Sequence, residues 1–307
     1  MRCAVWASAD QVQLLQRAFA SKDLSCAVLG CDDPTARQSM AEALCATQAD
    51  DLRQMLQHPD VDAIWLAAPR LLDASLRTLI ANLKTPVATS APCVEGFAPH
   101  LQGDCHAHFM PLFRAGPSFQ AAQGCMEHLG AVRCMQVSAT AGDHQTSLRA
   151  LLLDATDLIV HLGGMPDEVF AVHSGTTVLT ADPSAEMSGH LTASMRFANG
   201  AAASLTVSDG GGTWIRRATV LGEGGRVILT DEGVSWTDPA GVAQEAPPSE
   251  SHATAGALTR WHLLRLGHTP PDAQPGPKAA LLCEALRLSC LTGQVEETEH
   301  VAKMFGA

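Results

Sequence analysis

The sequence predicts an α/β protein of two domains. The first is built on a parallel sheet, and the second is an α+β domain with a large open, mostly antiparallel sheet. Three observations carry this expectation. Short apolar strands alternate with helical segments through the first third, the pattern of βαβ units. The second half turns to strict apolar/polar alternation between Gly-rich turns. The 307 residues, 46% hydrophobic and 17% charged, suffice for two substantial cores. The domains are expected at 1–115 and 116–307, with the final helix, 278–292, packing back on the first.

"CAVWA" from Cys3 is the first strand and "QVQLLQRAF" the first helix, with Val12, Leu15 and Phe19 on one face. "SCAVLGC" and "TARQSMAEAL" are the second strand and helix. "DLRQMLQHP" is a short helix, and "VDAIWLAAP" is a continuous apolar strand of the kind buried on both faces. "LLDASLRTLIANL" is a helix and "TPVATSA" a strand. Further on, "HLTASMRFANGAAASLTVS" puts Leu191, Ala193, Met195 and Phe197 on one face and His190, Thr192, Ser194 and Arg196 on the other. Asn199-Gly200 supplies the hairpin turn. "RRATVLGEGGRVILTDEGVSWTD" adds short strands, and "GVAQEAPPSESHATAG" reads as a polar loop. "KAALLCEALRLSCLTG" closes the chain as an amphipathic helix ending at Gly293.

The net charge of −12 disfavours a nucleic-acid surface. No apolar run approaches the roughly 20 residues of a membrane span. The first strand begins near Cys3, which leaves no room for a signal peptide, so a cytoplasmic protein is expected. The 10 cysteines lack C-x-x-C spacing and are expected to be reduced core residues. There is no tyrosine, and the lysines are Lys22, Lys84, Lys278 and Lys303. A mechanism needing a Tyr or Lys acid has few places to find one.

Six segments, in order, resemble successive parts of the Gfo/Idh/MocA oxidoreductases: "DVDAIWLAAPRLLDASLRTLIANLKTPVATSAPC", "HFMPLFRAGPSFQAA", "LLLDATDLIVHLGGMPDEVFAV", "MRFANGAAASLTVS", "TVLGEGGRVIL" and "AALLCEALRLSCLTGQVEE". The resemblance covers nearly the whole chain. It implies an N-terminal Rossmann domain, a C-terminal open-sheet domain used in oligomerisation, and NAD(P)-linked chemistry, often on sugars or cyclitols. It also implies where the site falls. The glycine fingerprint lands on Ala7, Ala9 and Val12, and the lysine on Ala91, between Ser90 and Pro92. The catalytic histidine lands on Asp154, its aspartate is kept as Asp157, and the usual arginine lands on Leu112. The cofactor-binding set would be Ala7, Ala9, Asp10, Asp32, Pro69 and Pro92, an eroded site.

Fingerprint glycines let backbone approach a pyrophosphate, and alanine or valine adds methyls there. Asp10 with Gln13 reads as a capping box, with Ser8 and Gln11 as the alternative. A carboxylate there stands where a helix N-terminus would hold phosphate. Like charges 4 Å apart repel by about 1 kcal/mol in water and about 4 kcal/mol at an effective dielectric near 20. Asp32 or Asp33 ends the second strand, where an acid binds the adenosine ribose and favours NAD over NADP; a solvated turn is the plainer reading. Ala91 cannot move a proton, and Lys84 lies roughly 20 Å away along an extended segment. Asp154, Asp157 and His161 share a helix face; the two acids are candidate catalytic groups or simply first-turn helix acids.

Cys105, His106 and His108 offer metal-binding residue types without a visible fourth ligand, so no metal is expected. The link from Ser90 to Cys105, with Pro99 in it, leaves room for only a stub of helix and implies a remodelled cleft. The expected protein keeps the family fold, binds NAD or NADP weakly or not at all, and serves as a binding or accessory subunit. It would be a homo-oligomer with a small-molecule ligand, beside an active paralogue. The alternatives are a divergent NAD(P)-dependent oxidoreductase using Asp154, Asp157 or a histidine on a sugar- or cyclitol-like substrate, and a metal-dependent lyase or hydrolase.

Overall fold

The computed structural model describes residues 1–68, 74–90, 97, 101, 107–142, 146–175, 179, 180, 182, 187–244, 254–266 and 275–306. The chain forms two compact units, Met1–Pro99 with Asp104–Pro111 and Thr254–Gln274, and His100–Gly103 with Leu112–Ala253 and Pro275–Ala307. The expected continuous division is therefore too simple, because one late segment belongs to the first unit.

The first unit is built on six strands, β1 (Arg2–Trp6), β2 (Ser25–Gly30), β3 (Thr47–Ala49), β4 (Ala63–Leu66), β5 (Val87–Thr89) and β6 (His108–Phe109). They pair in parallel in the order β3-β2-β1-β4-β5-β6. Helices α1 (Val12–Ala18), α2 (Pro34–Leu44), α3 (Leu52–Leu56) and α4 (Ala74–Ala81) lie between them. β4 is buried at every position, as a strand covered on both faces must be. Gly30 is required where β2 ends, because a Cβ there would sit 2.3 Å from the Trp6 indole. Helix α5 (Pro117–His128) and helix α6 (Leu148–Gly163) belong to the second unit, and α7 (Ala255–Arg265) returns to the first and packs on α1.

The second unit carries a nine-stranded sheet. Its strands are β7 (Val132–Thr140), β8 (Glu168–Ser174), β9 (His190–Arg196), β10 (Ala202–Ser208), β11 (Ile215–Gly222), β12 (Gly225–Thr230), β13 (Gly233–Thr237), β14 (Ala243–Gln244) and β15 (Glu296–Glu297). The order is β14-β13-β12-β11-β7-β10-β9-β8-β15; β7 and β10 pair in parallel and the other neighbours antiparallel. The alternation of β9 is as the sequence implies, with Leu191, Ala193 and Met195 buried and Thr192, Ser194 and Arg196 exposed. Helix α8 (Pro277–Thr292) belongs to this unit and packs against α6 and β8. Ala279 through Arg287 is buried at every position, and Ser289 Oγ accepts from Ala171 N at 2.9 Å. Helix α9 (Thr298–Phe305) follows it.

Candidate functional site

Two places bear the expected site residues, one in each unit. In the first unit β1 runs into a single 3-10 turn, Ala9–Gln11, before α1 starts at Val12. The cap is the Ser8–Gln11 box rather than Asp10 with Gln13, because the tighter turn brings Gln11, not Gln13, back to the cap backbone. Gln11 Oε1 accepts from Ser8 N at 3.1 Å, and its Nε2 donates to Ala67 O at 3.0 Å. The side chain is thereby drawn inward, to 5% exposure. Asp10 remains exposed and accepts a hydrogen bond from Ser8 Oγ. Ala7 is buried and Ala9 exposed. The turn therefore presents methyls and a carboxylate where a pyrophosphate cradle presents glycine backbone, and α1 is only 7 residues long.

After β2 the two acids divide. Asp33 is the N-cap of α2, its Oδ1 accepting from Thr35 N at 2.8 Å and Ala36 N at 3.2 Å. Asp32 is exposed beside it. Pro69, Ala91, Pro92, Cys105 and His106 lie outside the described residues, as does most of the link from Ser90 to Cys105. Lys84 is exposed before β5, whose far end leads to buried Ser90. Ser90 Oγ accepts from Trp65 Nε1 at 2.7 Å. Among the described residues no group of three His, Cys, Asp or Glu side chains could hold a metal ion.

In the second unit Asp154 and Asp157 are not first-turn acids. Helix α6 starts at Leu148 behind the N-cap Ser147, so both stand in its buried middle. Asp154 Oδ1 accepts from Phe113 N at 2.6 Å and its Oδ2 from Arg216 Nη1 at 2.7 Å. Arg216 also donates through Nη2 to Asp231 Oδ1 at 2.7 Å and through Nε to Asp231 Oδ2 at 3.0 Å. Trp214 Nε1 donates to Asp231 Oδ2 at 2.9 Å. The rings of Phe113 and Trp214 lie 4.8 and 5.0 Å from the guanidinium. Breaking such a buried cluster by removing one partner costs about 3–5 kcal/mol.

Both partners are shifted upward, which favours the charged form of Arg216 and the neutral form of Asp154. Arg216 is held charged, with a raised pKa, because two carboxylates outweigh its burial. Burial lifts Asp154 to about 6, and the Arg216 charge offsets this only in part, since Asp231 shares the same guanidinium bidentately. Asp157 is raised by burial as well, opposed by Arg114, whose Nε donates to its Oδ2 at 2.7 Å. His161 is exposed at the end of α6, edge-on to Phe119 with centroids 5.5 Å apart. Burial, then the Arg114 charge, lowers its pKa.

Three of these residues escape a reading of motifs. Leu112, at the expected arginine position, is buried, and Arg114 two residues on takes the acid. Arg216 does leave a signal. It shares strand parity with Ala218 and Val220, so it must point into the core, and a buried arginine needs acids. Gln11 leaves only its cap spacing.

No family model matches the sequence, and no curated protein matches it either. Solved structures do. Levoglucosan dehydrogenase in complex with NADH and levoglucosan is 14% identical, with a TM-score of 0.71 over 97% of this chain and 99% of that one. An oxidoreductase from Agrobacterium radiobacter in complex with NAD+, L-tartaric acid and magnesium is 17% identical, with a TM-score of 0.69 over 98% and 99%. A putative myo-inositol dehydrogenase from Sinorhizobium meliloti 1021 is 16% identical, with a TM-score of 0.67 over 97% and 99%. At these identities the likeness is one of fold. Over nearly its whole length the chain shares the fold of these dehydrogenases, the fold that the resemblance to the Gfo/Idh/MocA oxidoreductases implies.

Proposed function

We propose that this chain is a member of that family that has given up its acid–base chemistry and serves as a binding or accessory subunit. The observation that carries the reading is Asp154. It stands where the resemblance puts the catalytic histidine, and both its oxygens are taken, one by Phe113 N and one by Arg216. A general base must reach a substrate proton within roughly 2.6–3.2 Å. A carboxylate at 3% exposure, tied into its own core, is a structural group. Asp157, paired with Arg114, supports the same reading. The opening turn supports weak binding of NAD and NADP, in the millimolar range or absent. The exposed face of the nine-stranded sheet supports assembly with a second copy or an active paralogue.

A second reading, a divergent NAD(P)-dependent oxidoreductase, is favoured by one observation. Two structures that share the fold over 97% of the chain or more are complexes with NADH or NAD+. Under that reading His161, one helical turn beyond Asp157 on α6, is the remaining proton carrier.

A screen of sugars and cyclitols with NAD+ and NADP+ separates the two. The expected result is no turnover above background. Turnover near about 1 s⁻¹, within the ordinary enzyme range, would sink the accessory reading. The same screen with His161→Ala would then show whether the histidine carries it.

A further inference from the structure

We propose that Gln11 is the side chain that closes the first unit to a dinucleotide, an inference that rests on the weak-binding reading above. In a doubly wound sheet ligands enter outside the carboxyl ends of the strands, at the point where strand order reverses. Here that point lies between β1 and β4. The two strand ends are stitched together there. Ala67 N and Ala68 N both donate to Trp6 O, at 2.8 and 3.1 Å. The third link is made by a side chain: Gln11 reaches from the turn after β1 to Ala67 O at the end of β4, 3.0 Å away. Its carbonyl is taken by Ser8 N. Both ends of the amide are thus used, and the side chain is buried. A pyrophosphate entering between β1 and β4 would have to displace Gln11 and leave Ala67 O without that donor, a loss that buried polar groups tolerate poorly.

Asp10 and Gln11 act by different physics. Asp10 is exposed and repels an anion through its charge, which salt screens. Gln11 is buried and blocks by occupancy and hydrogen bonding, which salt does not relieve. The two contributions are therefore separable.

The test is NADH titration, by fluorescence and calorimetry, of the full chain as wild type, Asp10→Asn, and Asp10→Asn combined with Gln11→Ala. The double variant is expected to bind about tenfold or more tightly than Asp10→Asn, the equivalent of one net buried hydrogen bond. That gain should persist when salt is raised, whereas the gain from Asp10→Asn shrinks. Equal affinity of the single and double variants overturns the role of Gln11 and leaves the weak-binding reading standing. Micromolar binding by the wild type overturns both. Amide exchange supplies a check that needs no variant. The Ser8 amide, held by Gln11 Oε1, should exchange slowly, and rapid exchange at Ser8 would dissolve the proposed bridge.

Discussion

Asp154 holds its proton more firmly folded than unfolded. Burial raises its pKa from the ordinary 3.8 to about 6. The sign of the linkage follows. For a carboxyl with a raised folded-state value, the associated stability is fully present below the unfolded value and is lost as the pH rises through about 6. Asp154→Asn cannot titrate, while Asp157 titrates in both proteins and cancels in the comparison. Urea unfolding at pH 4 and pH 7 should therefore show the wild type losing ~2 kcal/mol relative to the variant over that interval. A gap between the two that is the same at both pH values would contradict the account of Asp154. The acids themselves are legible in the sequence; their environment is not. The partner of Asp154 on β11 lies 62 residues away, and no local spacing reports such a pairing.

Helix α7 shows what an element can hide. Its residues fall partly within a polar tract and have no apolar stripe, because Leu258, Trp261 and Leu263 are buried together with Thr259 and His262. A helix covered on several faces leaves no 3.6-residue period to read. The β-strands with one exposed face, β9 and β10, are by contrast fully legible, since strict alternation has one physical cause. The close approach of α7 to α1 depends on Gly256. A Cβ there would lie 2.5 Å from Arg17 Cβ and 3.2 Å from Ala18 N. Gly256→Ala is expected to cost about 1–3 kcal/mol, the range for overpacking. A thermal melt unchanged from wild type would mean that α7 can slide without penalty.

At the scale of the molecule, the fold class is legible because two periodicities follow one another in the right order, while the opening turn is half legible: the missing glycines are plain, the buried Gln11 is not. The exposed face of the large sheet carries Thr192, Ser194, Ser204 and Thr206 at its centre. Toward its margins stand Phe170, Val172 and Ile215, exposed at 41%, 55% and 53%. A sheet face of small residues with apolar margins can pair with its own copy about a two-fold axis. Light scattering at micromolar concentration should find a dimer or larger species, and Thr206→Arg should shift it toward monomer. A monomeric wild type would remove this surface as an interface. The return of α7 to the first unit has a consequence for how the protein is made. On a ribosome adding about 5–20 residues per second, α1 emerges long before the helix that covers it. The interval between Pro111 and Arg265 is roughly 8–30 s. During that time the flank of α1 that α7 covers in the finished fold stays uncovered. A gene cut after Pro111 would leave that flank bare permanently.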